Sequence, residues 1–148
     1  MDSLISGVKL TPLDIVPVEG GNVFHIIKRS SPGFLTFGEA YFSMILPNRI
    51  KAWKKHHRMT LNLIVPIGAV RFVIFDDRQN SASYGQMNEV SLSTKNYARL
   101  TIPPSLWLGF QCLEDTPGLI LNVADIEHDP SEADRLPLDA FPFDWSKE

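Results

Sequence analysis

The residues of this chain best equipped for chemistry lie in one short run. Lys54, Lys55, His56, His57 and Arg58 form its densest basic cluster, with Lys51 just ahead of them. Side chains of an extended segment alternate between faces, so Lys54 and His56 share one face while Lys55 and His57 take the other. An ammonium and an imidazole on one inward face suit proton transfer. Burial disfavours the charged form of lysine and brings its pKa toward neutrality, and an imidazole titrates there with little help. Either Lys54 or His56 can therefore act as a base. Lys55, His57 and Arg58 read as the solvated end of the strand.

Other polar residues are placed less distinctively. Asn62 and Asn122 each interrupt an apolar run and must find a hydrogen bond if buried, so a pocket-facing role is open to both. His128 begins a His-Asp-Pro turn and either braces that turn or reaches a pocket. Arg78, in FDDR, reads as an ion-pair partner of nearby carboxylates. Cys112 sits in the strand-like FQCLED and reads as a packing residue rather than a nucleophile.

These residues are carried by short runs of period two. Leu61, Leu63, Val65 and Ile67 fall on one face with Thr60 and Asn62 on the other, and Val70, Phe72 and Ile74 alternate in the next run, a β-branched and aromatic pattern that predicts strands. Ile67-Gly68-Ala69 between them predicts a hairpin turn. Further strands are expected at Val8–Leu10, Asn22–Arg29, Thr36–Leu46, Val90–Leu92, Tyr97–Ile102, Leu106–Leu113 and Leu119–Ala124. They are punctuated by Ser-Ser-Pro-Gly, Pro-Asn, Pro-Pro and Thr-Pro-Gly turns. No stretch keeps a 3.6-residue apolar period. The expected fold is all-β, a sandwich or jelly-roll barrel in a single domain spanning residues 1–148. Residues 127–148, rich in Asp, Glu and Pro, are expected to wrap the body as loop or short helix, held by Phe141, Phe143 and Trp145.

Composition narrows the partners. A net charge of −3 and a pI near 5.8 argue against nucleic acid and leave the local basic cluster to a small anionic ligand. No apolar run approaches the roughly 20 residues of a membrane span, and the N-terminus lacks a signal-peptide layout. One cysteine cannot make an internal disulfide, which fits a reducing compartment and a cytoplasmic location.

Several ordered segments resemble the dTDP-4-dehydrorhamnose 3,5-epimerase family, a branch of the cupin jelly rolls. They are FGEAYFS, IKAW, FDDRQNSASYG, LSTKNYARLTIPP, WLGF and HDPSEADR. The resemblance implies a cupin-type jelly roll, a homodimer, and a nucleotide-linked 4-keto-6-deoxy sugar as ligand, in surface polysaccharide biosynthesis. The family's catalytic histidine position falls on Lys54, its glutamine on His56, and its diphosphate-binding arginine on Lys51. Its His-Gly-Phe histidine becomes Leu108. The proton-donor tyrosine falls on Asn122, a second tyrosine on His128, and the aspartate that orients the base on Asp139. Tyr41 would face a neighbouring subunit or a base ring. Metal-dependent cupins would place ligands at Lys54, His56, Leu61 and Leu108, one ligand of four, so no metal and no other cofactor is expected. Two readings follow. One is an epimerase or isomerase with Lys54 or His56 as base, and Lys51, Asn62, Asn122 and His128 around the substrate. The other is a cupin that binds a sugar nucleotide without catalysis.

Overall fold

The computed structural model describes residues 3–146. Among them the chain forms twelve strands. They are β1 (Lys9–Pro12), β2 (Ile15–Val16), β3 (Val23–Phe24), β4 (Glu39–Ile45), β5 (Ile50–His56), β6 (Leu61–Ile67), β7 (Ala69–Phe75), β8 (Met87–Ser93), β9 (Ala98–Ile102), β10 (Trp107–Cys112), β11 (Gly118–Ala124) and β12 (Ala133–Arg135). Two 3-10 turns, Pro130–Glu132 and Leu138–Ala140, are the only helical elements among the described residues. Two five-stranded antiparallel sheets, β1-β9-β6-β11-β4 and β12-β5-β10-β7-β8, face each other as a cupin-type jelly roll, and β2 pairs with β3 beside them.

Alternation decides what fills the space between the sheets. Leu61, Leu63 and Val65 of β6 pack with Val70, Phe72 and Ile74 of β7, and Leu92, Leu100, Ile102 and Ile120 close the same core. The expected strands therefore form, but their connection differs. β6 pairs with β9 and β11, whereas β7 pairs with β10 and β8, so Gly68 turns a corner between sheets instead of closing a hairpin. Its φ of 83° suits glycine, and a Cβ there would stand 2.9 Å from the Cα of Gly118. With both runs apolar on their inward faces, a sharp corner buries each against the opposite sheet.

The tail builds a second, aromatic core on the outer face of the β5-containing sheet. Trp53, Val73, Trp107 and Trp145 are buried together, with Phe141 and Phe143 packed against them. β12 lies within this tail and extends the sheet, pairing Ala133 with His56 and Arg135 with Lys54. The strand expected over Asn22–Arg29 shortens to β3, because Ile26 and Pro32 give their carbonyls to the buried Arg99 guanidinium instead of to a ladder.

FDDRQNSASYG folds into a polar knot around Asp76, whose carboxylate is fully buried. It accepts hydrogen bonds from the Arg78 side chain at 2.9 and 3.0 Å, from Ser81 at 2.7 Å and from Ser83 at 2.6 Å. Arg78 is thus a structural ion-pair partner. Burial alone would raise the pKa of Asp76, but the donors from Arg78, Ser81 and Ser83 outweigh it and hold the carboxyl below its ordinary range. Its stabilising contribution is complete above a normal carboxylate pKa near 4 and fades as pH falls toward the depressed folded value. Asp76→Ala should cost about 3 kcal/mol, read as a lower urea midpoint at unchanged slope. The variant should also lose part of the wild type's acid dependence below pH 4.

Candidate active site

β5 carries the basic cluster, and an irregularity in it decides what faces inward. Leu108 pairs with Lys54 and Phe110 with Lys51, so Ala52 and Trp53 together oppose the single residue Gly109. This is a β-bulge, which re-aims side chains along a strand. It brings Lys51 and Lys54, three apart in sequence, to one cavity, where strict alternation would have separated them. The neighbouring strand must yield space for it. A Cβ on Gly109 would lie 2.7 Å from that of Ala52 and 3.0 Å from the Trp145 ring.

The cavity encloses about 470 Å³ between the two sheets, within the range of small-ligand sites. Lys51, Lys54 and His56 of β5 and Arg135 of β12 line it on one sheet. Tyr41 and Ser43 of β4 and Asn122 of β11 line it on the other, and Leu61, Leu63, Phe72, Leu108, Phe110 and Ile120 supply apolar walls. One wall is cationic and the facing one is neutral and polar.

His56 is buried, and its Nδ1 is bonded to the buried carboxylate of Glu132. Local sequence places that glutamate. Asp129 caps the 3-10 turn by accepting the Ser131 N–H at 3.0 Å, and Pro130 occupies a first-turn position where its missing N–H costs nothing. The turn also gives the Glu132 carbonyl to the His57 N–H at 2.7 Å, locking it beneath the end of β5. The other carboxylate oxygen of Glu132 accepts the backbone N–H of Arg58 at 3.0 Å and of Met59 at 3.2 Å.

The charge states follow from these partners. Burial pushes the Glu132 carboxyl up, but hydrogen bonds from His56, Arg58 and Met59 outweigh it and hold its pKa below the ordinary value. Burial, aided by the cations of Lys54 and Arg135, lowers the pKa of His56 despite the opposing pull of Glu132. At neutral pH the pair is thus a carboxylate and a neutral imidazole. Nδ1–H donates to Glu132, which leaves the Nε2 lone pair as a base. Lys54, paired by backbone with Arg135, also has its pKa lowered, first by burial and then by that arginine. Among the described residues no side chain or carbonyl accepts its ammonium. Lys51 stands at the exposed rim, its Nζ 2.9 Å from the Met44 carbonyl and over the Phe110 ring at 6.0 Å.

Four of the six expected site residues line this cavity: Lys51, Lys54, His56 and Asn122. Two do not. Asn62 points to the outer side of its sheet, where its Oδ1 accepts from Arg99 at 3.1 Å and Thr101 at 2.6 Å and its amide reaches the Gly33 carbonyl. Its polarity is consumed in fastening the loop that covers that face. His128 is exposed, in the loop just ahead of the Asp129 cap, and bounds no part of the cavity. Asp139 is exposed on the second 3-10 turn, and Glu132 holds the imidazole instead. Tyr41 faces the cavity. Its parity with Ser43 and Ile45 was the available signal, and the Asp-Pro-Ser-Glu cap was the signal for Glu132. Outside the cavity, Lys55 pairs with Asp77 at 3.0 Å, His57 with Asp134 at 3.1 Å and Arg58 with Asp129 at 3.2 Å. Cys112 is buried, as its run suggested.

A jelly roll with a polar cavity and a carboxylate-held imidazole defines a small-molecule site of the sugar-nucleotide epimerase type. The family model described as dTDP-4-dehydrorhamnose 3,5-epimerase matches residues 52–146, and the chain belongs to that family. A dTDP sugar isomerase from Desulfovibrio desulfuricans G20 is 43% identical, with a TM-score of 0.93 over 97% of this chain and 94% of that one. A probable low-salt glycan biosynthesis epimerase of Haloferax volcanii is 30% identical over 114 residues, 74% of this chain and 73% of that protein. A spore coat polysaccharide biosynthesis protein of Bacillus subtilis is 26% identical over 149 residues, 98% of this chain and 99% of that protein.

Titration of the histidine ring signals by NMR should find His56 neutral at pH 7, with a midpoint below the ordinary value near 6.5. Glu132→Gln removes the one partner that favours the imidazolium, so the midpoint should fall further. A rise in that variant would contradict the assignment.

Proposed function

We propose that the protein is an epimerase or isomerase of a nucleotide-linked 4-keto-6-deoxy sugar, acting in surface polysaccharide biosynthesis. The observation that carries this reading is the neutral His56 imidazole, held by Glu132, beside Lys54, whose ammonium has no acceptor among the described residues, on one cavity wall. A ketone acidifies the C–H bonds next to it. His56 Nε2 takes such a proton, and the electron pair moves into an enolate. Lys54 donates to the ketone oxygen as negative charge develops there, an electrostatic role strengthened by apolar walls that exclude water. This divides the two candidate bases by partner: His56 is hydrogen-bonded to the Glu132 carboxylate, whereas Lys54 feels that carboxylate only at longer range.

Lys51 at the rim and Arg135 on the same wall are positioned for the diphosphate. Lysine offers a point charge there, without the fork of an arginine. Positions 54, 61 and 108 hold Lys, Leu and Leu, so the reading assigns the chemistry to side chains alone. The names of the relatives, a dTDP sugar isomerase and two proteins of glycan and spore coat polysaccharide biosynthesis, support the substrate class and the setting. The unpaired thiol of Cys112 favours the cytoplasm, and no helix among the described residues is long and apolar enough to cross a membrane.

The working unit in this reading is a homodimer. β4 ends its sheet, and Phe42 and Met44 on its outer side are 63% and 56% exposed, next to Leu35 and Phe37 at 68% and 64%. A free apolar strand edge of this kind is a pairing surface. A second copy of the chain is its proposed partner.

Incubation with dTDP-4-keto-6-deoxyglucose in deuterated water should place label at carbon beside the ketone. His56→Ala should slow exchange by about 10²-fold or more, and Lys54→Met by about 10²-fold. Binding measured by calorimetry without any exchange in the wild type would leave a sugar-nucleotide binder in place of an enzyme. Sedimentation should find a dimer that Phe42→Asp converts to monomer.

A further inference from the structure

Lys54 has surroundings unlike those of the other cations near it. Lys55 is paired with Asp77 at 3.0 Å, Arg58 with Asp129 at 3.2 Å, and the Lys51 ammonium donates to the Met44 carbonyl at 2.9 Å. Lys54 is half-buried in the cavity wall, and among the described residues nothing accepts its ammonium. On one side β12 sets Arg135 opposite it, a like charge across a strand pair, and on the other β10 sets Leu108. Burial and that arginine outweigh the opposing pull of Glu132 and lower its pKa. A lysine desolvated among apolar groups beside another cation is the arrangement that frees an amine, the nucleophile of Schiff-base chemistry. A ketone is the electrophile that such an amine takes. The neutral His56 imidazole lies two residues along, on the same cavity wall.

We propose that Lys54 engages the substrate covalently, its amine condensing with the sugar ketone to an iminium. The iminium nitrogen, in place of the ketone oxygen, receives the electron pair when His56 removes the neighbouring proton. The inference rests on the reading of the ligand as a keto sugar and of His56 as base. It deepens the part of Lys54 from a cation beside the ketone oxygen to one bonded to the ketone carbon. The Nζ lone pair forms the C–N bond while the carbonyl π pair moves to oxygen. Proton transfer from nitrogen to oxygen gives a neutral carbinolamine. Its hydroxyl takes one proton from solvent and leaves as water while the nitrogen lone pair closes the C=N bond. His56 Nε2 then takes the C–H proton, the C–H pair becomes a C=C bond, and the C=N π pair comes to rest on nitrogen in a neutral enamine. Return of a proton to carbon restores the iminium. Water adds to it and expels the amine, giving the solvent's proton back. Atoms and charge balance over the cycle. Arg135 disfavours positive charge at Nζ, so it favours the two neutral states, the attacking amine and the enamine.

Reductive trapping and oxygen exchange test this on the wild type, so the outcome does not hang on the folding of a variant. With dTDP-4-keto-6-deoxyglucose and sodium cyanoborohydride, the intact mass should rise by that of the substrate less one oxygen atom. Peptide mapping should place the adduct on Lys54 in about tenfold or greater excess over Lys51 and Lys55. In heavy-oxygen water the protein should speed replacement of the ketone oxygen about tenfold or more over buffer alone, a gain that Lys54→Met abolishes. An ammonium acting only through its charge leaves the C–O bond intact and gives neither result. Deuterium uptake at carbon with no adduct and no oxygen exchange therefore overturns the imine, while His56 stands as base. An adduct spread evenly over the lysines overturns it as well. An adduct on Lys54 without deuterium uptake upholds the imine and removes the proton transfer that follows it. Neither adduct nor uptake overturns the imine together with the reading on which it rests.

Discussion

The hydrogen bond between His56 and Glu132 is the contact on which the site depends. It joins the end of β5 to the 3-10 turn of the tail, two pieces 76 residues apart in the chain. Glu132 is almost fully buried, and an uncompensated carboxylate there would be expensive. Two backbone N–H groups and the imidazole satisfy it. The same contact fixes which ring nitrogen carries the hydrogen and which faces the ligand. Folding of the tail and the fixing of the His56 ring are therefore one event, since Glu132 meets His56, and Arg135 enters the cavity, where β12 pairs with β5.

The bulge in β5 is the second constraint, because it sets how many cations one wall can present. Regular alternation would give the cavity Lys54 and His56 and send Lys51 to the far side. Opposing Gly109 with both Ala52 and Trp53 gains Lys51 for the cavity while Trp53 still turns outward into the aromatic core under the tail. The Trp53 indole N–H donates to the Leu138 carbonyl at 3.0 Å, tying that core to the second 3-10 turn. A packing device for the tail and an aiming device for the site are thus the same residues.

What could be read in advance followed the range of the forces involved. Strands and the inward pair Lys54 and His56 were legible, because period-two patterning is local and one buried face enforces it. Gly68 was legible as a turn but not as a corner, since a positive φ is common to both and the partners that separate β6 from β7, in β9, β11 and β10, come from residues 32 to 59 positions away. Asn62 was misjudged for a similar reason. A polar residue in an apolar strand must be satisfied, yet Arg99, Thr101 and Gly33 lie far off in sequence and give no local sign of meeting it. Glu132 escaped because residue types near the C-terminus allowed Asp139 the same role, and only the capped turn at Asp129 decides between them. Lys51 was placed on the resemblance alone, and its physical cause, the bulge, leaves no mark in a single strand's pattern beyond the glycine opposite.

The two walls explain how an acidic protein can suit an anionic ligand. Net charge is −3, yet Lys51, Lys54 and Arg135 gather on one sheet of the cavity, while the balancing carboxylates Asp77, Asp129 and Asp134 sit on Lys55, Arg58 and His57 outside it. Pairing the outward cations leaves the inward ones as the unneutralised positive charge of the region, focused by apolar walls. That field suits an anionic ligand and, by the same physics, disfavours protonation of His56. A fourth cation, placed on the facing wall at Asn122, would extend the field across the cavity. The opposite sheet instead presents Tyr41, Ser43 and Asn122, all uncharged, so charge develops and is held on one side only. Directionality of this kind is what a reaction that takes a proton on one face and handles an oxyanion beside it requires, and a symmetric ring of cations would not supply it.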